Sequence, residues 1–171
     1  MIKLSFAHIG WFILLILLQG LVFNHLHFMG YATPMPYVFF LIILPTTTKR
    51  WVYIVLGFAM GLVIDLFSNT PGMTAASLCL TGLAIPPLLK PFLPNDHEDN
   101  ETLTPSARSM EWGPFVRFAF LATLINTVCY FLLEAFSFFN WQHLLISILS
   151  STFISLLFII SIEVIRSTKK K

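Results

Sequence analysis

Three acids lie inside long apolar runs of this sequence: Asp65, Glu134 and Glu163. A carboxylate at the centre of a membrane helix costs about 2.5 to 3.5 kcal/mol on insertion scales, so each needs a partner or a task. Glu163 precedes Arg166 by three residues near the end of its run, a spacing that predicts an interfacial ion pair and no further function. Asp65 follows Gly57 and Gly61 at four-residue steps, which puts a carboxylate on the same helix face as two glycines. Small residues at that spacing admit a neighbouring helix at close range, so the face points into protein. A hydrogen-bond acceptor for the turn at Ser68, Asn69 and Thr70, or for the start of the next helix, is the favoured role for Asp65 over catalysis.

Glu134 belongs to a polar stripe, Thr123, Thr127, Tyr130, Glu134 and Ser137, with Asn126 beside it. A second stripe, His143, Ser147, Ser150, Ser151 and Ser155, suits close packing against the first. At about 1.5 Å per residue, Asp65 stands roughly 21 Å from Trp51 and Glu134 roughly 26 Å from Arg117, which places both acids in the external half of the spans. The expectation is one cavity or helix junction that both acids line from different helices.

Other chemistry finds little footing. His25 and His27 are two imidazoles without the further ligands that a zinc site needs. Asp65 is the sole Asp in the apolar runs, where an intramembrane aspartyl protease would need two, and a mixed pair with Glu134 is disfavoured. No G-x-S-x-G elbow or phosphate-cradling glycine loop occurs. Cys79 and Cys129 sit in apolar runs as small hydrophobes. The reading is a protein without enzymatic activity, metal or cofactor.

The elements that must position these residues follow from composition. The chain has 171 residues, 57% hydrophobic and 11% charged, with a mean hydropathy of +0.83. At about 20 residues per crossing this length holds six spans and little else. The apolar segments run over residues 4–23, 31–47, 51–67, 71–89, 115–138 and 143–165, in a single integral membrane domain covering 1–171. Thr33-Pro34 and Thr70-Pro71 read as helix starts, with a capping residue before a proline at the first helical position; Asn140 reads as a third cap. Pro34, Pro36 and Pro45 make the second span short, tilted or packed away from lipid.

With the amino terminus inside, Lys3, Lys49, Arg50, Lys90, Arg108, Arg117, Arg166 and Lys169 to Lys171 all fall on the cytoplasmic side. A five-span arrangement without the second crossing misplaces only Lys3, and both arrangements keep the carboxyl terminus cytoplasmic. The net charge of +2 suggests no nucleic-acid partner. Residues 90–114 form the cytoplasmic loop; from Pro94 on it is polar and reads as mobile, with a short interfacial helix opening at Thr104-Pro105 and Trp112 at headgroup depth. The basic tail reads as a contact with anionic lipid.

From Gly57 to Ser77 the sequence is GFAMGLVIDLFSNTPGMTAAS: a glycine-rich helix ending in G-L-x-x-D-x-F, a short turn, then Thr-Pro-Gly-Met and a small-residue helix start. This resembles the signature of the MreD family of rod shape-determining membrane proteins. The Leu18-Gln19 pair, the proline-bounded second span, the Lys49-Arg50 turn and the chain length also suit that family. The resemblance implies an all-α polytopic membrane protein, six transmembrane helices in one bundle, similar in fold to the substrate-binding subunits of energy-coupling-factor transporters. It further implies a scaffold of the bacterial inner membrane, with no enzyme activity. Its partners would be a MreC-like single-span protein and, through that, a SEDS glycosyltransferase, a penicillin-binding transpeptidase and MreB filaments. Gly61, Asp65, Pro71 and Gly72 match the motif as a structural junction or partner surface, and the stripes Gly57, Gly61 and Ser147, Ser151 are candidate docking faces. The charged loop is longer than a typical member's. The alternative is a vitamin- or lipid-binding subunit of a transporter, with its ligand near Asp65 and Glu134; a small intramembrane hydrolase using the same two carboxylates comes third.

Overall fold

A computed structural model describes residues 6–21, 33–93, 103–135 and 141–168, with only the backbone given at Phe6, Ala7 and Leu21. All regular structure among them is helical: α1 (Phe6–Leu21), α2 (Val38–Ile42), α3 (Arg50–Ser68), α4 (Met73–Leu89), α5 (Trp112–Ala135) and α6 (Trp141–Thr168). A 3-10 turn, Lys90–Phe92, continues α4 past Pro86 and Pro87. Four of these helices, with α4 counted through its 3-10 turn, are long and apolar enough to cross a membrane, and α1 is a shorter apolar helix over His8–Gly20. Large apolar side chains such as Leu66, Leu149, Phe153 and Ile165 stand on their outer surfaces, as helices facing lipid require.

The span expected over 31–47 is not a long helix. Only five residues, Val38–Ile42, are α-helical. Proline explains the shape: Pro34 and Pro36 have no N–H to donate and hold the residues before them extended, and Pro45 stops the helix from running on. Backbone that is not helical is tolerated at membrane depth only inside protein, and Pro34 through Leu44 are all buried. Trp11 and Phe12 of α1 meet Phe39 and Phe40 edge to face, at centroid distances of 5.5 and 5.2 Å. This apolar, proline-bounded segment is thus the plug of the bundle.

The serine stripe of α6 serves that plug. Thr33 N–H donates to Ser151 Oγ at 2.9 Å and Met35 N–H to Ser155 Oγ at 2.8 Å, while Gln19 Nε2 donates to Pro34 O at 3.3 Å. These groups do for an extended backbone what the next helical turn does for a helix. Helix α6 packs on α5, and its Ser151 and Ser155 hydroxyls also bond the extended backbone, because Thr33 and Met35 have no helical acceptors for their N–H groups. Thr33-Pro34 accordingly opens an extended stretch, not a helix.

Glycines set the closest helix pair. A Cβ on Gly57 would come within 2.8 Å of Leu78 O, one on Gly61 would overlap the Ala75 backbone, and one on Gly82 of α4 would come within 2.8 Å of Tyr53 O. The pair α3 and α4 therefore lies backbone against backbone, with glycines contributed from both sides.

Two further boundaries differ from expectation. Helix α5 begins at Trp112 and α6 runs to Thr168, past the apolar limits at 115 and 165. The second half of the loop is held in place: residues 103–111 pack on the bundle, with Ala107 and Met110 in the core, and a turn at 107–109 replaces the helix expected from Thr104-Pro105. The Asn140 cap, Ser137, His25 and His27 lie outside the described residues, as does the acidic half of the loop.

Candidate functional site

Asp65 joins α3 to α4. Its backbone carbonyl accepts from Asn69 N–H, where α3 ends in the left-handed conformation at φ 54°, and from Thr70 N–H at 3.3 Å. Its carboxylate reaches across the turn and accepts three more bonds, each 3.0 Å long, from Thr70 Oγ1 and from the N–H groups of Thr74 and Ala75. Those two N–H groups lie in the first turn of α4, where no carbonyl precedes them, and a negative charge there meets the positive end of the helix dipole. The main chain of Asp65 closes one helix and its side chain opens the next.

The expected cap at Thr70-Pro71 is corrected accordingly. Pro71 and Gly72 form the exposed turn, α4 starts at Met73, and Gly72 takes φ 85° at its N-cap, a left-handed conformation that glycine adopts without steric cost. Thr70 contributes its hydroxyl to Asp65 instead of capping its own helix.

Behind this junction lies a polar layer. Thr81 Oγ1 is 2.8 Å from Ser77 O and 3.3 Å from Asn126 Oδ1. Asn126 Nδ2 points at Met35 Sδ, 3.4 Å away. The Thr123 and Thr127 hydroxyls fold back onto Ala119 O and Thr123 O of their own helix, at 2.7 and 2.8 Å. Threonines bonded one turn back can stay buried without a partner from another helix. The stripe read on the fifth span thus turns inward through Thr123, Asn126, Thr127 and Tyr130 and reaches the surface at Glu134.

A cavity of about 210 Å³ opens beside the junction, lined by residues of five segments that include Gln19, Tyr37, Thr70, Thr74, Tyr130 and Glu134. Glu134 lines it directly. Asp65 stands one layer back, behind Thr70 and Thr74, with three donors on its oxygens. The two acids therefore approach one cavity from different helices, but they do not share its wall.

A second buried carboxylate sits at the other end of the bundle. Glu163 is 0% exposed, and its ion pair with Arg166, at 3.1 Å, is half of what holds it. Oε1 accepts the Ala107 N–H at 2.9 Å, and Arg166 Nη1 also reaches Pro105 O at 3.4 Å. The i,i+3 ion pair expected at the interface is present, and its carboxylate is in addition a buried anchor for the loop before α5. Thr46 adds a second tie, with its N–H donating to Leu103 O at 2.8 Å and its Oγ1 accepting Leu103 N–H at 3.1 Å. No i,i+3 pattern signals either tie, because the partners lie 56 and 57 residues away. Lys49, Arg50, Lys90, Arg108, Arg117 and Arg166, all the lysines and arginines among the described residues, flank this end.

Comparison of the chain with protein-family models, with curated proteins and with solved structures returns no match.

Proposed function

We propose that the chain is a non-enzymatic membrane scaffold of the MreD type, set in a bacterial inner membrane with both termini cytoplasmic. It would hold a MreC-like single-span partner in place for peptidoglycan synthesis during cell elongation. Through that partner it would act with a SEDS glycosyltransferase, a penicillin-binding transpeptidase and MreB. The observation that supports this reading is the occupation of Asp65: the one acid of the Gly57–Ser77 signature has its oxygens engaged by Thr70, Thr74 and Ala75. A carboxylate committed in this way builds a junction.

The same geometry narrows where a partner helix docks. The Gly57 and Gly61 face is filled by α4, and Ser151 and Ser155 are taken by the backbone at Thr33 and Met35. Both small-residue stripes are internal, so a partner must use another face. Depletion of the protein tests the proposal, with cell shape as the readout: rounded cells are expected, and normal rods overturn it. In the same strain Asp65→Asn, which keeps an acceptor, should retain shape and pull-down of the partner better than Asp65→Leu.

The second reading, a ligand-binding subunit of a transporter, has the cavity in its favour. At about 210 Å³ the space is smaller than the roughly 300 to 1,000 Å³ of pockets that enclose drug-sized ligands.

A further inference from the structure

We propose that the cavity at the α3–α4 junction binds a primary ammonium group. The first observation is an unsatisfied acceptor. Gln19 is 4% exposed, lines the cavity, and directs its Nε2 to Pro34 O, which leaves its Oε1 buried with no hydrogen-bond partner. Reversing the amide would set oxygen against the Pro34 carbonyl, so the neighbour decides which end of the amide is nitrogen, and the missing group is a donor. A buried acceptor without a partner costs about 1 to 3 kcal/mol, which an incoming N–H recovers. Oε1 is closed to water as it stands, and the broad terminal torsion of a glutamine lets it turn toward a donor in the cavity.

The second observation is the character of the wall. Glu134 supplies a carboxylate, Thr33, Ser68 and Thr70 supply hydroxyls, Tyr37 and Tyr130 supply rings, and among the described residues no Lys, Arg or His lines the space. The carboxylate of Asp65 lies behind Thr70 and Thr74, adding negative potential. Such a wall repels anions and favours a cation, through the carboxylate and through the faces of the tyrosine rings.

Two alternatives fit less well. A divalent metal ion takes several oxygen ligands, commonly two or more of them carboxylates, and among the described residues no group of three His, Cys, Asp or Glu comes together. A quaternary ammonium has no N–H and leaves Gln19 Oε1 unsatisfied. Size agrees with a small head: at about 30 Å³ per water the space holds about seven waters' worth of ligand, enough for a two- or three-carbon amine and too little for a whole lipid. The cavity opens at the helix ends opposite the basic cluster, so the ammonium can come from an aminophospholipid headgroup at the membrane surface or from a free amine.

The inference stands apart from the scaffold reading: partner capture and amine binding are separate readouts. The test uses the full chain in nanodiscs and follows the thermal unfolding midpoint. In phosphatidylcholine discs, free ethanolamine is titrated against free choline. In parallel, discs of phosphatidylethanolamine are compared with discs of phosphatidylcholine. A saturable rise in midpoint with ethanolamine and not choline supports the site with a free amine as ligand; a rise confined to phosphatidylethanolamine discs supports it with a lipid headgroup. Glu134→Gln and Gln19→Leu should each weaken the productive arm at least tenfold. Because the ligand-induced shift is read against each variant's own baseline, altered folding does not mask the result. No shift in either arm, an equal shift with choline, or an undiminished shift in Glu134→Gln overturns the proposal.

Discussion

Asp65 and Glu163 are both carboxylates buried in an apolar bundle, at opposite ends of it, and they are paired in different ways. Among the described residues Asp65 has no cation as a partner; two N–H groups of a helix start and one hydroxyl bond its carboxylate. Glu163 divides its oxygens between a guanidinium and one loop N–H. The first bonds residues nine and ten positions on in sequence, whereas the second reaches across 56. A helix N-terminus therefore does at one end what an arginine does at the other, and the polar end of the molecule depends on a long-range tie where the junction depends on a local one.

The strongest way to break this contrast is to remove the close approach that brings Asp65 to α4. Gly61→Val places branched carbon into the Ala75 backbone, which the core cannot absorb by moving a side chain; overpacking costs typically about 1 to 3 kcal/mol and more against a backbone. We expect loss of a monodisperse folded species on size-exclusion chromatography. Asp65→Leu, next in size, leaves the Thr74 and Ala75 N–H groups buried without acceptors at a cost of about 3 kcal/mol or more. Asp65→Asn keeps one acceptor oxygen and should fall by about half that. Thermal unfolding in detergent orders the three, and a D65N midpoint as low as that of D65L would show that charge, not hydrogen bonding, holds the junction.

Glu163→Leu should cost about 3 to 5 kcal/mol, the range for stripping one partner from a buried ion pair, and Glu163→Gln about 1 to 2 kcal/mol, since an amide oxygen can still accept the Ala107 N–H. The decisive readout is local. Hydrogen exchange at Ala107 should accelerate in both variants while exchange at Thr74 stays as it was, and the reverse pattern is expected for Asp65→Asn. Equal acceleration at both sites would mean that the two ends unfold as one unit.

How legible these features were in the sequence follows from the same separation. Asp65 was readable because its glycines precede it by one and two helical turns and its partners follow five to ten residues later, all inside a window of about 20 residues. The four helices long and apolar enough to cross a membrane were readable from hydropathy alone, with ends off by a few residues. The plug at 33–44 was visible only as a proline-bounded oddity, because hydropathy reports burial and does not tell protein from lipid as the apolar surroundings. The charged loop read as mobile because its composition is polar, yet Ala107 and Met110 are core residues. Glu163 was underestimated for the complementary reason: its nearest visible partner, Arg166, already gave a sufficient account of it.

Smaller changes sharpen the account at the plug. Ser155→Ala removes the acceptor of the Met35 N–H in a fully buried setting, and the orphaned donor should cost about 1 to 2 kcal/mol. Ser161→Ala, on the exposed face of the same helix, should change stability by less than about 0.5 kcal/mol. If the stripe were only small-residue packing, the two alanines would behave alike in thermal unfolding.

The smallest expected effect separates the two ties on the loop. Thr46→Val keeps the backbone bond from Thr46 N–H to Leu103 O and removes the side-chain acceptor for Leu103 N–H. That bond is part-buried, so water can replace the lost oxygen, and the cost should be about 0.5 to 1 kcal/mol. Exchange at Leu103 should quicken while Ala107, held by Glu163, keeps its protection. Should Ala107 lose protection as well, the loop docks as one cooperative piece and the buried carboxylate is not sufficient to hold it. The basic end would then match the junction, where Thr70, Thr74 and Ala75 converge on one carboxylate and no single bond is expected to carry the fold.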